Sequence, residues 1–216
     1  EEAYTLGADT WTIPKGELKT TASVKIDLNK IEEVGSLYDD YVLPVRIASS
    51  TGEPMGQNKY TKVLAHIGFK NDYSGTYSGK GVITQQGTTY TTEITSTLLY
   101  AINNNVCYMF VGEKTRANTQ DYLNYVVEIE RNEWGGIVLS SNVEGLQFKP
   151  YSAKLSRKYT YNYNDQRYYT EITTIELAYE YLDSTQGEPL MMSFEGTFSM
   201  SRDVLRVEYP DVDVEE

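Results

Sequence analysis

The chain has 216 residues, a net charge of −12, a hydrophobic fraction of 40% and 20 tyrosines against 5 phenylalanines. This length allows one large β domain or two small ones with a real core, and the hydrophobic fraction argues against wholesale disorder. The acidic balance argues against nucleic acid and anionic membrane surfaces as partners, because both require a basic footprint. The excess of tyrosine favours β structure with many faces that are partly exposed to solvent.

The single cysteine, Cys107, excludes an intramolecular disulfide and a cysteine-cluster metal site. It lies within the apolar stretch 106–110, so we interpret it as a buried, inert thiol. No apolar run approaches the roughly 20 residues of a membrane span, and no signal peptide opens the sequence. The protein is therefore either cytoplasmic or the mature part of an exported product.

The first 70 residues predict about five short strands, at 4–6, 11–13, 22–28, 41–48 and 60–69. The third alternates apolar and charged residues with the period of a half-buried strand. The last, around Val63–Ile67, reads as a buried terminal strand. A free-standing sandwich usually has about seven strands. We therefore predict a partial Ig-like β-sandwich at residues 1–70 that lacks strands upstream of Glu1.

The segment 69–81 separates this unit from a longer one. Its glycines, Gly75, Gly79 and Gly81, let the backbone bend or bulge where a side chain would obstruct it. Beyond it we predict about eight antiparallel strands joined by short turns, with the clearest period of two at 158–164, 171–181 and 191–202. Eight up-and-down strands close naturally into a barrel. The prediction is all-β: the partial sandwich, a lipocalin-like antiparallel β-barrel at 71–209 and an acidic tail at 210–216.

The run YVLPVRIASSTG at residues 41–52 resembles the YxLPVxIxSxSG signature of an N-terminal domain of unknown function in Bacteroidetes surface lipoproteins. The segments YTL at 4–6 and IPKG at 13–16 are similar to the YxL and IPxG motifs of the same domain. The Gly75-Thr76-Tyr77 opening is similar to that of the lipocalin-like domain often joined to it. The resemblance implies an outer-membrane lipoprotein encoded beside glycan-uptake receptors, with its lipidated cysteine upstream of Glu1. The family defines no catalytic residues.

Aromatic residues are the candidate ligand-binding groups. Trp134 lies at the tip of a predicted hairpin, where a flat indole can stack on the apolar face of a sugar ring; the alternative is that it caps the barrel end. A set of tyrosines is a second candidate, as an aromatic platform whose hydroxyl groups can hydrogen-bond a ligand: Tyr159, Tyr161, Tyr163, Tyr168 and Tyr169. Alternation also arises from core or rim packing, which is the competing interpretation. Tyr73 and Tyr77 are a third candidate, at the junction between the units.

Catalytic and metal chemistry finds little support. Two acid pairs, Glu128 with Glu130 and Glu176 with Glu180, have spacings that a solvated strand face also produces. His66 is the one histidine, and we interpret it as structural. We predict no catalytic residue, no metal site and no cofactor.

The family resemblance, together with the tyrosine excess and Trp134, implies a non-enzymatic cell-surface lipoprotein of the outer membrane or periplasm that binds a glycan or assists its capture. One alternative is a structural or adhesion module that contacts outer-membrane uptake proteins. Another is a glycoside hydrolase with an unrecognised carboxylate pair. Nucleic acid is not expected as a partner, and the membrane only through the upstream lipid anchor.

Overall fold

The computed structural model describes residues 3–17, 19–27, 29–30, 38, 41–51, 61–185 and 187–215. The chain forms two compact units, Glu1–Gly68 and Phe69–Glu216. The described helical segments are short 3-10 turns and a helical turn at residues 29–30. Among the described residues, no helix has the length and apolar character of a membrane span.

The described residues of the first unit form two antiparallel ladders. Strand β1 (Tyr4–Leu6) pairs with β2 (Val24–Ile26), and β3 (Tyr41–Arg46) pairs with β4 (Lys62–Ile67). The prediction of a buried strand at β4 was wrong, because Val63 and Leu64 are 61% and 74% exposed. A two-stranded ladder has too little surface to bury its own apolar residues.

The described part of the second unit forms nine strands. They are β5 (Gly75–Gln85), β6 (Thr91–Ala101), β7 (Val106–Phe110), β8 (Val126–Arg131), β9 (Ile137–Ser140), β10 (Lys149–Tyr161), β11 (Tyr168–Asp183), β12 (Leu190–Leu205) and β13 (Val214–Glu215). Their order in the sheet is β13-β10-β11-β12-β5-β6-β7-β8-β9. Strands β9 and β10 lie against each other, so β5 to β12 curl into a nearly closed up-and-down barrel. The predicted all-β fold with an eight-stranded barrel is confirmed.

The barrel interior is filled by side chains from the inward phase of each strand. On β11 the inward residues Ile175, Leu177, Tyr179 and Tyr181 are at most 2% exposed. Tyr179 stacks on Phe194 of β12, with ring centroids 4.7 Å apart. Alternation with a period of two therefore produces a packed aromatic core in these strands.

Two glycines make room for this aromatic packing. Gly81 of β5 lies directly opposite Gly196 of β12. A Cβ on Gly196 would come within 2.6 Å of Phe198 and 2.8 Å of Phe194. The rings of Phe194 and Phe198 lie nearly parallel, with centroids 6.3 Å apart. The glycine pair thus provides the space that the two phenylalanine rings occupy.

A second aromatic cluster lies on the outer face of β6 and β7. Tyr100 stacks on Tyr108 at 4.8 Å, and Arg116 from the following loop lies over the Tyr100 ring at 5.3 Å. Arg116 also donates a hydrogen bond to the Tyr108 hydroxyl at 2.6 Å. Tyr108 is consequently 2% exposed although it faces outward.

Strand β10 is longer than the sequence predicts. The alternation indicates separate strands at 146–149 and 158–164, whereas one strand runs from Lys149 to Tyr161. Within the predicted acidic tail, Val214–Glu215 forms a strand parallel to β10, with Val214 opposite Tyr159. The segment after β12 therefore reaches the edge of β10 that β9 leaves free.

Candidate functional site

At one end of the barrel the inward-facing side chains change from apolar to charged. We call it the polar end; β5 and β11 begin there, and β8, β10 and β12 end there. On β11 the inward series passes from Ile175 to Thr173 and then Glu171. On β12 it passes from Phe198 to Arg202. Since Glu171 and Arg202 are directly opposite in the ladder, the strand register itself brings them together.

Glu171 is the centre of one buried network. Its side chain is fully buried, and its Oε1 lies 2.7 Å from Nη2 of Arg202. The hydroxyl of Thr173 donates to Oε1 at 3.2 Å, and the hydroxyl of Tyr159 donates to Oε2 at 2.9 Å. Burial and the Glu171 hydrogen bond raise the pKa of Tyr159 to about 12, so this phenol remains a hydrogen-bond donor.

Asp72 is the centre of a second network in the same unit. Its Oδ2 lies 2.6 Å from Nη1 of Arg131 at the end of β8 and 2.8 Å from Nη2 of Arg157 on β10. Burial disfavours the ionised carboxyl, but the hydrogen bonds and charges of Arg157 and Arg131 outweigh it and hold the pKa of Asp72 below 3.8. Both networks join strands that are distant in sequence.

An open cavity of about 450 Å³, the mouth cavity, lies at this end. Asp72 and Arg202 link it to the two networks. The remaining lining residues come from the segment before β5 and the ends of β11 and β12: Lys70, Asn71, Tyr168, Asp203, Val204, Leu205, Glu208 and Tyr209. Because five of the ten lining side chains are charged, the cavity suits a polar ligand better than an apolar one.

Beside the mouth cavity, Arg206 lies over two tyrosine rings; we call these three residues the Arg206 cluster. Tyr161 and Tyr169 are opposite each other in the ladder and pack edge to face at 5.9 Å. The Arg206 guanidinium carbon is 5.0 Å from the Tyr161 centroid and 4.7 Å from the Tyr169 centroid. Its Nε donates to the carbonyl oxygen of Tyr168 at 3.2 Å.

The other tyrosines of the predicted set have different surroundings. The Tyr159 ring packs against that of Tyr209, with centroids 5.9 Å apart, and its hydroxyl donates a hydrogen bond to Glu171. Tyr163, in the turn between β10 and β11, is 86% exposed. Tyr168 lies under the guanidinium of Arg167, 5.6 Å from its ring centroid, and lines the mouth cavity. The five tyrosines therefore share one end of the barrel but not one flat platform.

Trp134 lies at the tip of the β8–β9 hairpin, which also emerges from the polar end. Its side chain is 92% exposed, so it extends into solvent rather than capping the barrel. The backbone beneath it is fixed, since the Asn132 carboxamide oxygen accepts hydrogen bonds from the amides of Trp134 and Gly136. Gly135 adopts φ 79°, a conformation that glycine favours. Within the described residues, no ring contact joins Trp134 to the tyrosines.

Tyr73 and Tyr77 belong to the core of the barrel unit. Both are fully buried, and the Tyr77 hydroxyl donates to the carbonyl of Tyr73 at 2.7 Å. Cys107 is also fully buried, and burial raises the pKa of its thiol to about 11. The thiol is thus protonated and inert near neutral pH.

The acids considered for glycoside hydrolysis lie on the outward faces of their strands. On β8, Glu128 and Glu130 alternate with the core residues Val127 and Ile129. Glu176 and Glu180 project from the outward phase of β11 and pair with Lys154 and Lys149 on β10, at 3.3 and 3.7 Å. His66 is an exposed residue of β4 in the first unit. Among the described residues, no cluster of three or more His, Cys, Asp or Glu side chains could hold a metal ion.

Sequence reasoning missed the charged residues of the polar end. Glu171 and Arg202 occupy the same phase as the core residues of their strands, so extending each alternation to its last position identifies them as inward-facing. Asp72 precedes the barrel strands, and Arg206 follows them. No local pattern marks these two residues.

At the opposite end of the barrel is a smaller cavity of about 200 Å³. Lys114 lies on its wall, but its ammonium is already bound by Asp183 at 2.7 Å and by the Thr185 hydroxyl at 2.9 Å. The polar end is therefore the better candidate for ligand binding.

The Asp72 network predicts a specific dependence of stability on pH. A carboxyl whose pKa is lower in the folded than in the unfolded state stabilises the fold above its unfolded pKa, and this contribution is lost as pH falls through the folded pKa. Asp72→Asn should therefore destabilise the protein at pH 7, and the difference from wild type should shrink below about pH 3.8. Urea unfolding at several pH values measures this difference. A gap that stays constant down to pH 2.5 would contradict the assignment.

The geometry defines a class: an all-β protein with a filled, lipocalin-like barrel and a polar, aromatic-rich end. A family model described as a C-terminal domain matches residues 61–199, more than half of the chain, and another described as an N-terminal domain matches residues 1–54. The chain belongs to the family that these two domain models describe. This confirms the family resemblance, and neither model description names an enzymatic activity.

Solved structures share the fold. A multidomain protein including DUF1735 from Bacteroides ovatus has a TM-score of 0.75 and 18% identity over 98% of this chain and 72% of its own. A protein of unknown function from the same organism has a TM-score of 0.76 and 18% identity over 98% of this chain and 71% of its own. An auxiliary nutrient binding protein from Bacteroides thetaiotaomicron has a TM-score of 0.66 and 20% identity over 87% of this chain and 64% of its own. No curated protein matches the sequence.

Proposed function

We propose that this protein is a non-enzymatic saccharide-binding protein of the outer-membrane surface or periplasm, which binds or helps to capture a glycan at its polar end. The observation that carries the proposal is the rigidly mounted, 92% exposed Trp134 on the same end of the barrel as the exposed Tyr163 and the Arg206 cluster. Exposed aromatic rings on fixed backbones suit stacking against the apolar faces of sugar rings.

Two further facts support a surface site of this kind. The interior is packed with aromatic side chains, so a ligand is expected at the end of the barrel rather than inside it. One structural neighbour is named an auxiliary nutrient binding protein, which agrees with an accessory role in uptake.

The test is a glycan array of plant, host and microbial saccharides, followed by calorimetry on the best ligand. Trp134→Ala should weaken binding by about tenfold or more, equivalent to about 1.4 kcal/mol. The matched control is Tyr90→Ala, which removes a 62% exposed ring from the β5–β6 hairpin at the opposite end. Silence across the array, or an equal loss in both variants, would overturn the proposal.

A structural or adhesion role in contact with outer-membrane uptake proteins is the second candidate. It is favoured by apolar side chains exposed on the β3–β4 ladder, among them Val42 at 51%, Val63 at 61% and Leu64 at 74%. Replacing Val63 and Leu64 by serine should then abolish co-purification with an outer-membrane protein while leaving saccharide binding intact. Unchanged recovery of the partner would exclude this surface.

A further inference from the structure

We propose that the polar end prefers acidic saccharides, and that Arg206 forms the ion pair with a carboxylate or sulfate group of the ligand. This inference rests on the proposed saccharide binding and adds the chemical class of the ligand.

Arg206 is held in place before any ligand arrives. Its amide donates to the carbonyl of Arg167 at 3.0 Å, which fixes the start of the 3-10 turn Arg206–Glu208. Its Nε donates to the carbonyl of Tyr168, and its guanidinium lies over the rings of Tyr161 and Tyr169. A guanidinium oriented in this way loses little conformational entropy when it binds an anion.

Arg206 forms no ion pair within the described part of the chain, unlike the neighbouring arginines. Arg131 and Arg157 pair with Asp72, Arg202 pairs with Glu171, and Arg167 pairs with Asp165 at 2.6 Å. Within the described residues, no carboxylate contacts Arg206, and its Nη1 and Nη2 make no hydrogen bond. These two nitrogens are the pair with which arginine binds carboxylate and sulfate groups in bidentate fashion.

The surroundings supply the sugar-binding part of such a site. Tyr161, whose ring lies under the guanidinium, is 39% exposed, and Tyr163 in the adjoining β10–β11 turn is 86% exposed. Aromatic surface near the cation is therefore open to solvent. Tyr168 links the Arg206 cluster to the mouth cavity, because its carbonyl accepts from Arg206 and its side chain lines the cavity. Among the cavity acids, Asp203 already accepts a hydrogen bond from the Thr170 hydroxyl. An acidic sugar is therefore offered stacking surface and one preorganised cation.

Two matched ligand pairs test the inference by calorimetry. The carboxylate arm compares an oligogalacturonate hexasaccharide with its methyl ester, and the sulfate arm compares a κ-carrageenan hexasaccharide with its desulfated form. The acidic member of at least one pair should bind about tenfold more tightly at low salt, and added NaCl should reduce that preference. The arm that shows the preference identifies the anionic group.

Variants assign the preference to Arg206. Arg206→Gln should abolish it, and Arg206→Lys should retain part of it. Lys154→Gln removes the same charge from the outer wall of the barrel and should leave the preference intact, because Lys154 is already paired with Glu176. Thermal unfolding checks that each variant is folded. If neutral and acidic members bind equally, or if Arg206→Gln keeps the preference, this inference fails while saccharide binding stands. If no saccharide binds, the proposed function fails and takes this inference with it.

Discussion

Glu171→Ala is expected to lower the free energy of unfolding by about 3–5 kcal/mol, the cost of breaking a buried ion pair by removing one partner. The side chain of Glu171 is fully buried, and that of Arg202 is 29% exposed. Removing the carboxylate leaves the Arg202 guanidinium without its partner and deprives the hydroxyls of Tyr159 and Thr173 of their acceptor. The loss of stability therefore comes from hydrogen-bond donors left without an acceptor as well as from the lost attraction between Glu171 and Arg202.

Denaturant unfolding at pH 7 measures this effect, and the same strand provides a matched control. Glu176 also forms an ion pair across to a neighbouring strand, with Lys154, but its side chain is 48% exposed. Glu176→Ala should therefore cost about 0–1 kcal/mol. Equal losses in the two variants would show that burial of Glu171 does not determine the energetics of the network.

Phe198→Ala should lower the free energy of unfolding by about 3–5 kcal/mol, because it leaves a cavity in the packed interior. Phe198 is 1% exposed and lies against the Gly81–Gly196 pair. Those glycines have no side chain with which to fill the space, so the cavity cannot collapse easily.

Tyr163→Ala is the control for Phe198→Ala, since it removes an aromatic ring that is 86% exposed. Its stability should change by no more than about 0.5 kcal/mol. Chemical denaturation compares the two variants directly. A loss below about 1 kcal/mol for Phe198→Ala would mean that the interior is loosely packed. The barrel interior would then have room for a ligand, contrary to a site at the polar end.

The barrel is predictable from sequence because its longest strands carry an unbroken alternation. On β12 the buried residues Met192, Phe194 and Phe198 follow the predicted phase. Strand β10 carries a weaker signal, since its inward residue Leu155 lies between the small Ala153 and the charged Arg157. Its middle is held by pairing with β11, which is a tertiary effect that local propensity does not register.

The candidate site was predictable only in part. The exposure of Trp134 follows from a short hairpin of turn residues, which sequence reasoning can identify. The pairing of Asp72 with Arg131 and Arg157 depends on closure of the barrel, which brings residues 59 and 85 positions apart into contact. Arg206 stands over Tyr161 and Tyr169 only because the chain turns at the end of β12. Contacts of this kind require the three-dimensional arrangement of the strands.

The parallel pairing of β13 with β10 has a practical consequence for binding assays. Val214 lies opposite Tyr159, so anything attached beyond this point begins next to the residues that we expect to meet the ligand. Immobilisation through a group attached just after β13 would crowd that end and mask a real interaction. Coupling through engineered lysines near Gly87, on the far hairpin, would orient the molecule with its binding end towards the solution.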